Sequence, residues 1–219
     1  MTLFVSVSSS LPAPISEAFS MHALIDLAGS RDDSGRRTGG ADLRTRLKDA
    51  TADAHRQLDA SLVAFDIKTT NGYRRFLEVS AGALLPLEAA LLESGVDDII
   101  KDWPSRSRTD AILDDLSKVE GQLHLMPALA GFGRGALLGT MYVLEGSRLG
   151  ARFLLKIVTR SADPAVGLAT AYLSHGAGQP LWERFLALLA HEAPGLDEEE
   201  VIAGARSAFG VFNMAAARA

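Results

Sequence analysis

Apolar residues recur along this chain at three- and four-residue steps, and this spacing is the feature that most limits how the chain can fold. The clearest stretch has Leu43, Leu47, Ala54, Leu58 and Leu62 at its apolar positions. Such a period places the apolar side chains on one face of an α-helix. Alternating β-branched runs, which would indicate strands, are almost absent beyond residues 3–7. The pattern therefore predicts an all-α fold.

Caps and helix-breaking residues divide this pattern into about seven helices. We expect them over residues 42–62, 71–93, 105–118, 133–160, 164–175, 179–191 and 197–217. Asp42 and Asn71 are the predicted caps of the first two helices, and Asp163-Pro164 opens the fifth. Residues 1–40 are rich in Ser, Pro, Gly and Arg and show no regular period, so we interpret them as a flexible leader. The prediction is one helical domain, residues 41–219, behind that leader.

Charge and cysteine content exclude several classes of function. The formal charge of −5 provides no general positive field for nucleic acid, so an anionic ligand needs a local basic patch. Without cysteine there are no disulfides, thiolate nucleophiles or thiolate-held metal clusters. No apolar run reaches 18 residues, and the first residues lack the charged start of a secretory signal. We expect a cytoplasmic protein.

Three familiar motifs are not supported by their surroundings. Residues 131–136 match G-x-G-x-x-A, but no predicted strand precedes them. The five histidines show no metal-ligand spacing, and residues 146–150 do not form G-x-S-x-G. The sequence therefore gives little support for a dinucleotide-binding, zinc or hydrolase site.

The first unusual segment carries Lys48, Thr51, His55 and Asp59 at helical steps of three, four and four. All four lie on or near one helix face. A neutral imidazole is a good iron ligand, and a carboxylate one turn away can orient it. Lys48 could reach an anionic group roughly 10 Å from His55 at a rise of 1.5 Å per residue. This set suits a haem held by its iron and its propionates; the alternative is a boundary histidine among solvated charges.

The second unusual segment has Gly146 and Gly150 one turn apart inside an apolar helical pattern. Each glycine costs roughly 0.5–1 kcal/mol relative to alanine in a helix interior. The loss is offset if another group approaches the backbone closely or if the helix bends there. That group is either a flat ligand or a neighbouring helix, and the spacing alone leaves both open.

A basic stripe follows on the same helix at strict four-residue spacing: Arg148, Arg152, Lys156 and Arg160. In a chain of net negative charge it is the best local candidate for binding propionates or an acidic redox partner. The alternative is an ordinary solvated helix face.

Taken together, the two segments resemble the haem oxygenase family, in particular its bacterial biliverdin-forming branch. The proximal-helix string L-K-x-A-T-x-x-x-H is matched by Leu47, Lys48, Ala50, Thr51 and His55. The distal-helix string, with G-S-x-L-G, is matched by residues 142–150, and the two strings lie about 90 positions apart. The resemblance implies an all-α domain in which haem is sandwiched between a proximal helix and a kinked distal helix.

The resemblance also implies roles for individual residues. His55 resembles the proximal iron ligand, Asp59 the acid that orients it, and Lys48 a propionate contact. Gly146 and Gly150 resemble the distal glycines whose backbone lies against the haem. The full set of predicted site residues is Gly146, Ser147 and Gly150 as catalytic, Lys48, Thr51, His55, Asp59, Tyr142, Arg152 and Lys156 as cofactor-binding, and His55 as the metal ligand.

The implied reaction uses haem as cofactor and substrate. O2 and electrons from a ferredoxin or reductase lead to hydroxylation of a meso carbon, and ring opening gives biliverdin, CO and Fe2+; a phytochrome is a possible acceptor of the biliverdin. Two positions depart from relatives. Ser147 stands where some members have Asp, and Glu183-Arg184 follow Trp182 where relatives often have a basic propionate contact. Alternatives are a haem sensor or carrier on the same fold, or a helical interaction module that binds no haem.

Overall fold

The computed structural model describes residues 39–219, with side chains from Leu43 onward. The predicted leader lies outside the described residues except at its last two positions. Within the described part the fold is all-α, which confirms the predicted class. The helices are α1 Gly39–Val63, α2 Thr70–Glu93, α3 Val96–Ile99, α4 Thr109–Lys118, α5 Arg134–Val158, α6 Pro164–Leu168, α7 Ala171–Ser174, α8 Leu181–Glu192 and α9 Glu198–Ala216. Single 3-10 turns occur at Trp103–Ser105 and Ala193–Gly195.

Several helix ends lie where the sequence predicts them. The Asp163 side chain accepts a hydrogen bond from the backbone of Ala165 and begins α6, and Asp197 accepts one from Glu199 at the start of α9. Gly95 follows the end of α2 with φ +75°, the left-handed conformation that glycine adopts without strain. The start of α2 differs, because Thr69 rather than Asn71 is its N-cap. Helix α1 begins before Asp42, which therefore lies inside it.

Two predicted helices are interrupted by carboxylates from distant elements. Glu88 on α2 accepts hydrogen bonds from the backbone N–H groups of Arg108 and Thr109, so α4 starts at Thr109 rather than just after Pro104. Asp115 on α4 likewise accepts from the backbone of Ala171 and Tyr172. Because a helix continuing from α6 would use those donors itself, the predicted helix 164–175 divides into α6 and α7. Both differences arise from tertiary capping.

Helix α9 closes the domain by packing against α5, α1 and α2. Two glycines allow α5 and α9 to approach closely. A Cβ at Gly139 would collide with the Val201 carbonyl, and one at Gly204 would collide with the Ala136 carbonyl. Among the described residues, no helix is long and apolar enough to cross a membrane. The close α5–α9 contact leaves the opposite side of α5 available to form a cavity wall.

Candidate functional site

A large, mostly apolar cavity lies among the helices, with walls from α1 and α5 and further side chains from α2, α7, α8 and α9. Its empty space is about 1140 Å3 including the opening, above the roughly 300–1,000 Å3 of a typical small-molecule pocket. The lining residues are His55, Leu58, Asp59, Leu62, Ile67, Phe76, Val79, Ser80, Tyr142, Val143, Gly146, Ser147, Gly150, Ala151, Phe153, Leu154, Tyr172, Leu173, Trp182, Phe209 and Phe212. Aromatic and aliphatic side chains dominate, so the cavity suits a large, flat, apolar ligand.

On the α1 wall, His55 is the buried nitrogen base of the cavity. Its side chain is nearly inaccessible, with only 4% of the residue exposed. The Nε2 atom lies 3.8 Å from Oδ1 of Asp59, one helical turn further along. The imidazole is also positioned by Phe209 of α9, whose ring centroid is 5.3 Å away. The local spacing that predicted the pair has therefore placed both residues on the cavity.

The α5 wall brings together four of the predicted residues: Tyr142, Gly146, Ser147 and Gly150. At Gly146 an added Cβ would lie 3.6 Å from the Trp182 ring, an ordinary contact. Packing between helices therefore does not require glycine at this position in the way that it does at Gly139. Burial raises the pKa of Tyr142 to about 12, so its phenol stays neutral at physiological pH. This wall presents backbone and neutral side chains to the cavity.

The Ser147 hydroxyl is held by a residue that the sequence analysis did not identify. Its oxygen accepts a hydrogen bond from Nη1 of Arg108 at 3.1 Å and donates one to the Leu144 carbonyl at 2.7 Å. Arg108 is only 2% exposed and lies behind the cavity wall. It comes from the turn before α4, and no local spacing relates it to α5 in the sequence.

The remaining four predicted residues do not line the cavity. The Thr51 hydroxyl donates to the Leu47 carbonyl of its own helix at 2.7 Å, and Lys48 lies half-buried nearby on α1. Arg152 and Lys156 are exposed and line a smaller neighbouring pocket that also contains His175. This basic pocket shares two wall residues, Leu173 and Trp182, with the large cavity.

The predicted basic stripe is interrupted at its first member. Arg148 is buried and binds Glu145, with Nη2 3.0 Å from Oε1. The other carboxylate oxygen of Glu145 lies 2.8 Å from Nη1 of Arg106. Burial, reinforced by nearby Arg108, lowers the pKa of Arg148. Arg148 therefore belongs to a buried ion network, and only the later members of the stripe face solvent.

The architecture and cavity define the class: a helical domain with a single buried imidazole facing a glycine-bearing helix across an apolar cavity. No protein-family model matches the chain. The chain is 28% identical over 113 residues to a haem oxygenase from Xanthomonas campestris pv. campestris (strain 8004), covering 51% of this chain and 68% of that protein. Its structure matches the NO- and CO-bound haem oxygenase from Neisseria meningitidis with a TM-score of 0.66 and 22% identity, over 80% of this chain and 90% of that one.

The fold is that of a haem oxygenase. The two comparisons also support the assignment of this chain to the haem oxygenase family that the two motifs predicted.

Proposed function

We propose that this protein is a haem-degrading oxygenase that converts haem to biliverdin, CO and Fe2+. The observation that carries the proposal is the pairing of a buried imidazole, His55, with the glycine-bearing face of α5 on one apolar cavity. The similarity to haem oxygenases supports the same conclusion.

The residues of the cavity fit a haem. In the described part of the chain, no group of three or more His, Asp and Glu side chains is arranged to hold a metal ion. A lone imidazole can nevertheless hold an iron whose other ligands come from a macrocycle. The apolar lining suits a porphyrin plane, and Gly146 and Gly150 let a ring lie close to the α5 backbone.

Each part of the chain has a defined task in this proposal. When bound, haem supplies O2 activation and is itself the molecule that is cleaved. His55 binds its iron, while Asp59 and Phe209 restrict the orientation of the imidazole. Ser147 adds a polar atom to the α5 wall for ordered water.

Basic residues outside the cavity complete the proposal. We assign Lys48 to the ligand's carboxylates, and Arg152 and Lys156 to those carboxylates or to an acidic electron donor such as a ferredoxin or reductase. Thr51 remains a predicted cofactor-binding residue whose hydroxyl is bound to its own helix. A phytochrome that accepts biliverdin is a further predicted partner. The lack of cysteine agrees with action in the reducing cytoplasm.

A haem sensor or carrier is the alternative function. It would use the same His55 and the same cavity, so loss of haem ligation in a His55→Ala variant does not distinguish it from an oxygenase. Detection of the product does.

The test is a hemin titration followed in the same cuvette by addition of a reductant system under air and extraction of any pigment. A saturable Soret shift that decays with formation of biliverdin is the expected result. A Soret band that persists, with the reductant system shown to work on a known haem oxygenase, would support the sensor or carrier. Absence of any shift would leave a helical interaction module and contradict the proposal.

A further inference from the structure

Arg108 is a buried guanidinium directly behind the cavity wall. Its Nη1 donates to the Ser147 hydroxyl and its Nη2 to the Leu144 carbonyl, each at 3.1 Å. Its Cζ lies 5.2 Å from the centroid of the Tyr172 ring, another lining residue. Three contacts thus fix the charged group between α5 and α7.

This guanidinium has no carboxylate within ion-pair distance in residues 39–219, although it is almost fully buried. The nearest acid in its network, Glu88, binds the backbone N–H of Arg108 instead, at 2.9 Å. The Nε atom also lacks a hydrogen-bond partner. Burial of a charge without a counter-charge is costly, so the position is hard to explain by stability alone.

The contacts of Ser147 determine what its hydroxyl can offer a ligand. A hydroxyl has one proton to donate and two lone pairs. Its proton goes to the Leu144 carbonyl at 2.7 Å, and one lone pair accepts from Arg108. One lone pair therefore remains on a residue that lines the cavity. In this arrangement Ser147 accepts hydrogen bonds from the cavity and does not donate them.

We propose that Arg108 is a positioning residue of the cavity, which holds the Ser147 hydroxyl as an acceptor for a small O–H ligand such as water and keeps a positive charge behind it that favours ionisation of that ligand. The inference rests on the proposed haem binding. It goes beyond that function by assigning the polarity of the α5 wall to a residue outside the cavity lining.

The first variant is Arg108→Met, measured as the hemin complex. Ser147 keeps its donor bond to Leu144 in this variant, but the positive charge is gone. The pH at which the ferric complex changes from its acid to its alkaline visible spectrum should rise by roughly one pH unit, as expected for loss of a nearby charge at an effective dielectric constant of about 20. The C–O stretching frequency of the ferrous CO complex should rise as well, because a positive charge lowers it.

A second pair of variants tests the geometry. In Ser147→Ala the acceptor is removed and Nη1 of Arg108 is released toward the cavity, so both quantities should shift in the opposite direction. Arg108→Lys keeps the charge and should shift them by less than half as much as Arg108→Met, which also covers the case in which the methionine variant does not fold. The control is Arg56→Met on α1, whose side chain is 60% exposed and paired with Asp53. Solvent should screen its charge and leave both values unchanged.

The outcomes separate this inference from the function on which it rests. If wild-type protein gives no Soret shift, the proposed haem binding is wrong and this inference is wrong with it. If hemin binds normally but Arg108→Met and Ser147→Ala change neither the pH midpoint nor the C–O stretch, only the role of Arg108 is wrong. If the ferric wild-type complex shows no pH transition, the C–O stretch alone decides.

Discussion

Two faces of helix α5 differ sharply in chemistry although they are built from neighbouring residues. One face carries Tyr142, Gly146 and Gly150 and forms an uncharged cavity wall. The other carries Glu145 and Arg148, which are buried in an ion network with Arg106. One face therefore leaves space for a ligand, and the other fills the interior with paired charges that fix the turn before α4.

The difference shows how the cavity remains open inside a small domain. Close packing of helices normally fills such a space with side chains. Here the charged face anchors α5 to the turn that contains Arg106 and Arg108, so the glycine face is not needed to hold the helix in place. The predictions below test each face in turn, from the largest expected effect to the smallest.

The charged face should be most sensitive to Glu145→Gln. The substitution leaves Arg106 and Arg148 buried without their shared carboxylate, so we expect the free energy of unfolding to fall by about 3–5 kcal/mol. Urea unfolding followed by circular dichroism measures it. The control is Glu93→Gln at the exposed end of α2, which should change stability by less than about 0.5 kcal/mol. Equal effects of the two variants would show that the network does not anchor α5.

On the cavity face, His55→Ala should weaken hemin binding by roughly 100-fold or more, because the imidazole is the only predicted iron ligand. Hemin titration by the Soret band measures the change, and added imidazole should restore the normal band position. His191→Ala is the matched control, since that side chain is 83% exposed. Unchanged affinity in His55→Ala would exclude it as the ligand.

Gly150→Leu should fill part of the cavity while leaving the protein helical. We expect hemin affinity or turnover to fall by about 10-fold, since a bulky side chain would occupy the space left for the ring. Gly146→Ala offers a graded comparison: its Cβ makes only ordinary contact with Trp182, so the protein without hemin should gain roughly 0.5–1 kcal/mol of stability. Normal turnover in Gly150→Leu would contradict close approach of a ligand to α5.

The smallest effect is expected for Lys48→Ala, because this half-buried residue lies outside the cavity lining. Loss of a partly screened contact to a carboxylate should weaken hemin binding about two- to five-fold or alter the mixture of biliverdin isomers. Chromatography of the extracted pigment measures the second quantity. If neither changes, Lys48 does not bind the carboxylates.

The two walls were predictable to different degrees. His55 and Asp59 are one helical turn apart, so their proximity follows from local spacing. Arg108 and Ser147 are 39 positions apart, and only the folded chain brings them together. Arg148 shows the opposite failure: strict four-residue spacing placed it in a solvent-facing stripe, but Glu145 and Arg106 draw it into the interior.

The sequence by itself determined the helical class, most helix positions and the proximal pair, because these depend on contacts within one or two turns. Tertiary structure decided where α4 and α7 begin, since Glu88 and Asp115 cap them from other helices. It also decided which charges are buried and which polar groups border the cavity. Those features depend on the arrangement of distant helices, and local periodicity carries no information about that arrangement.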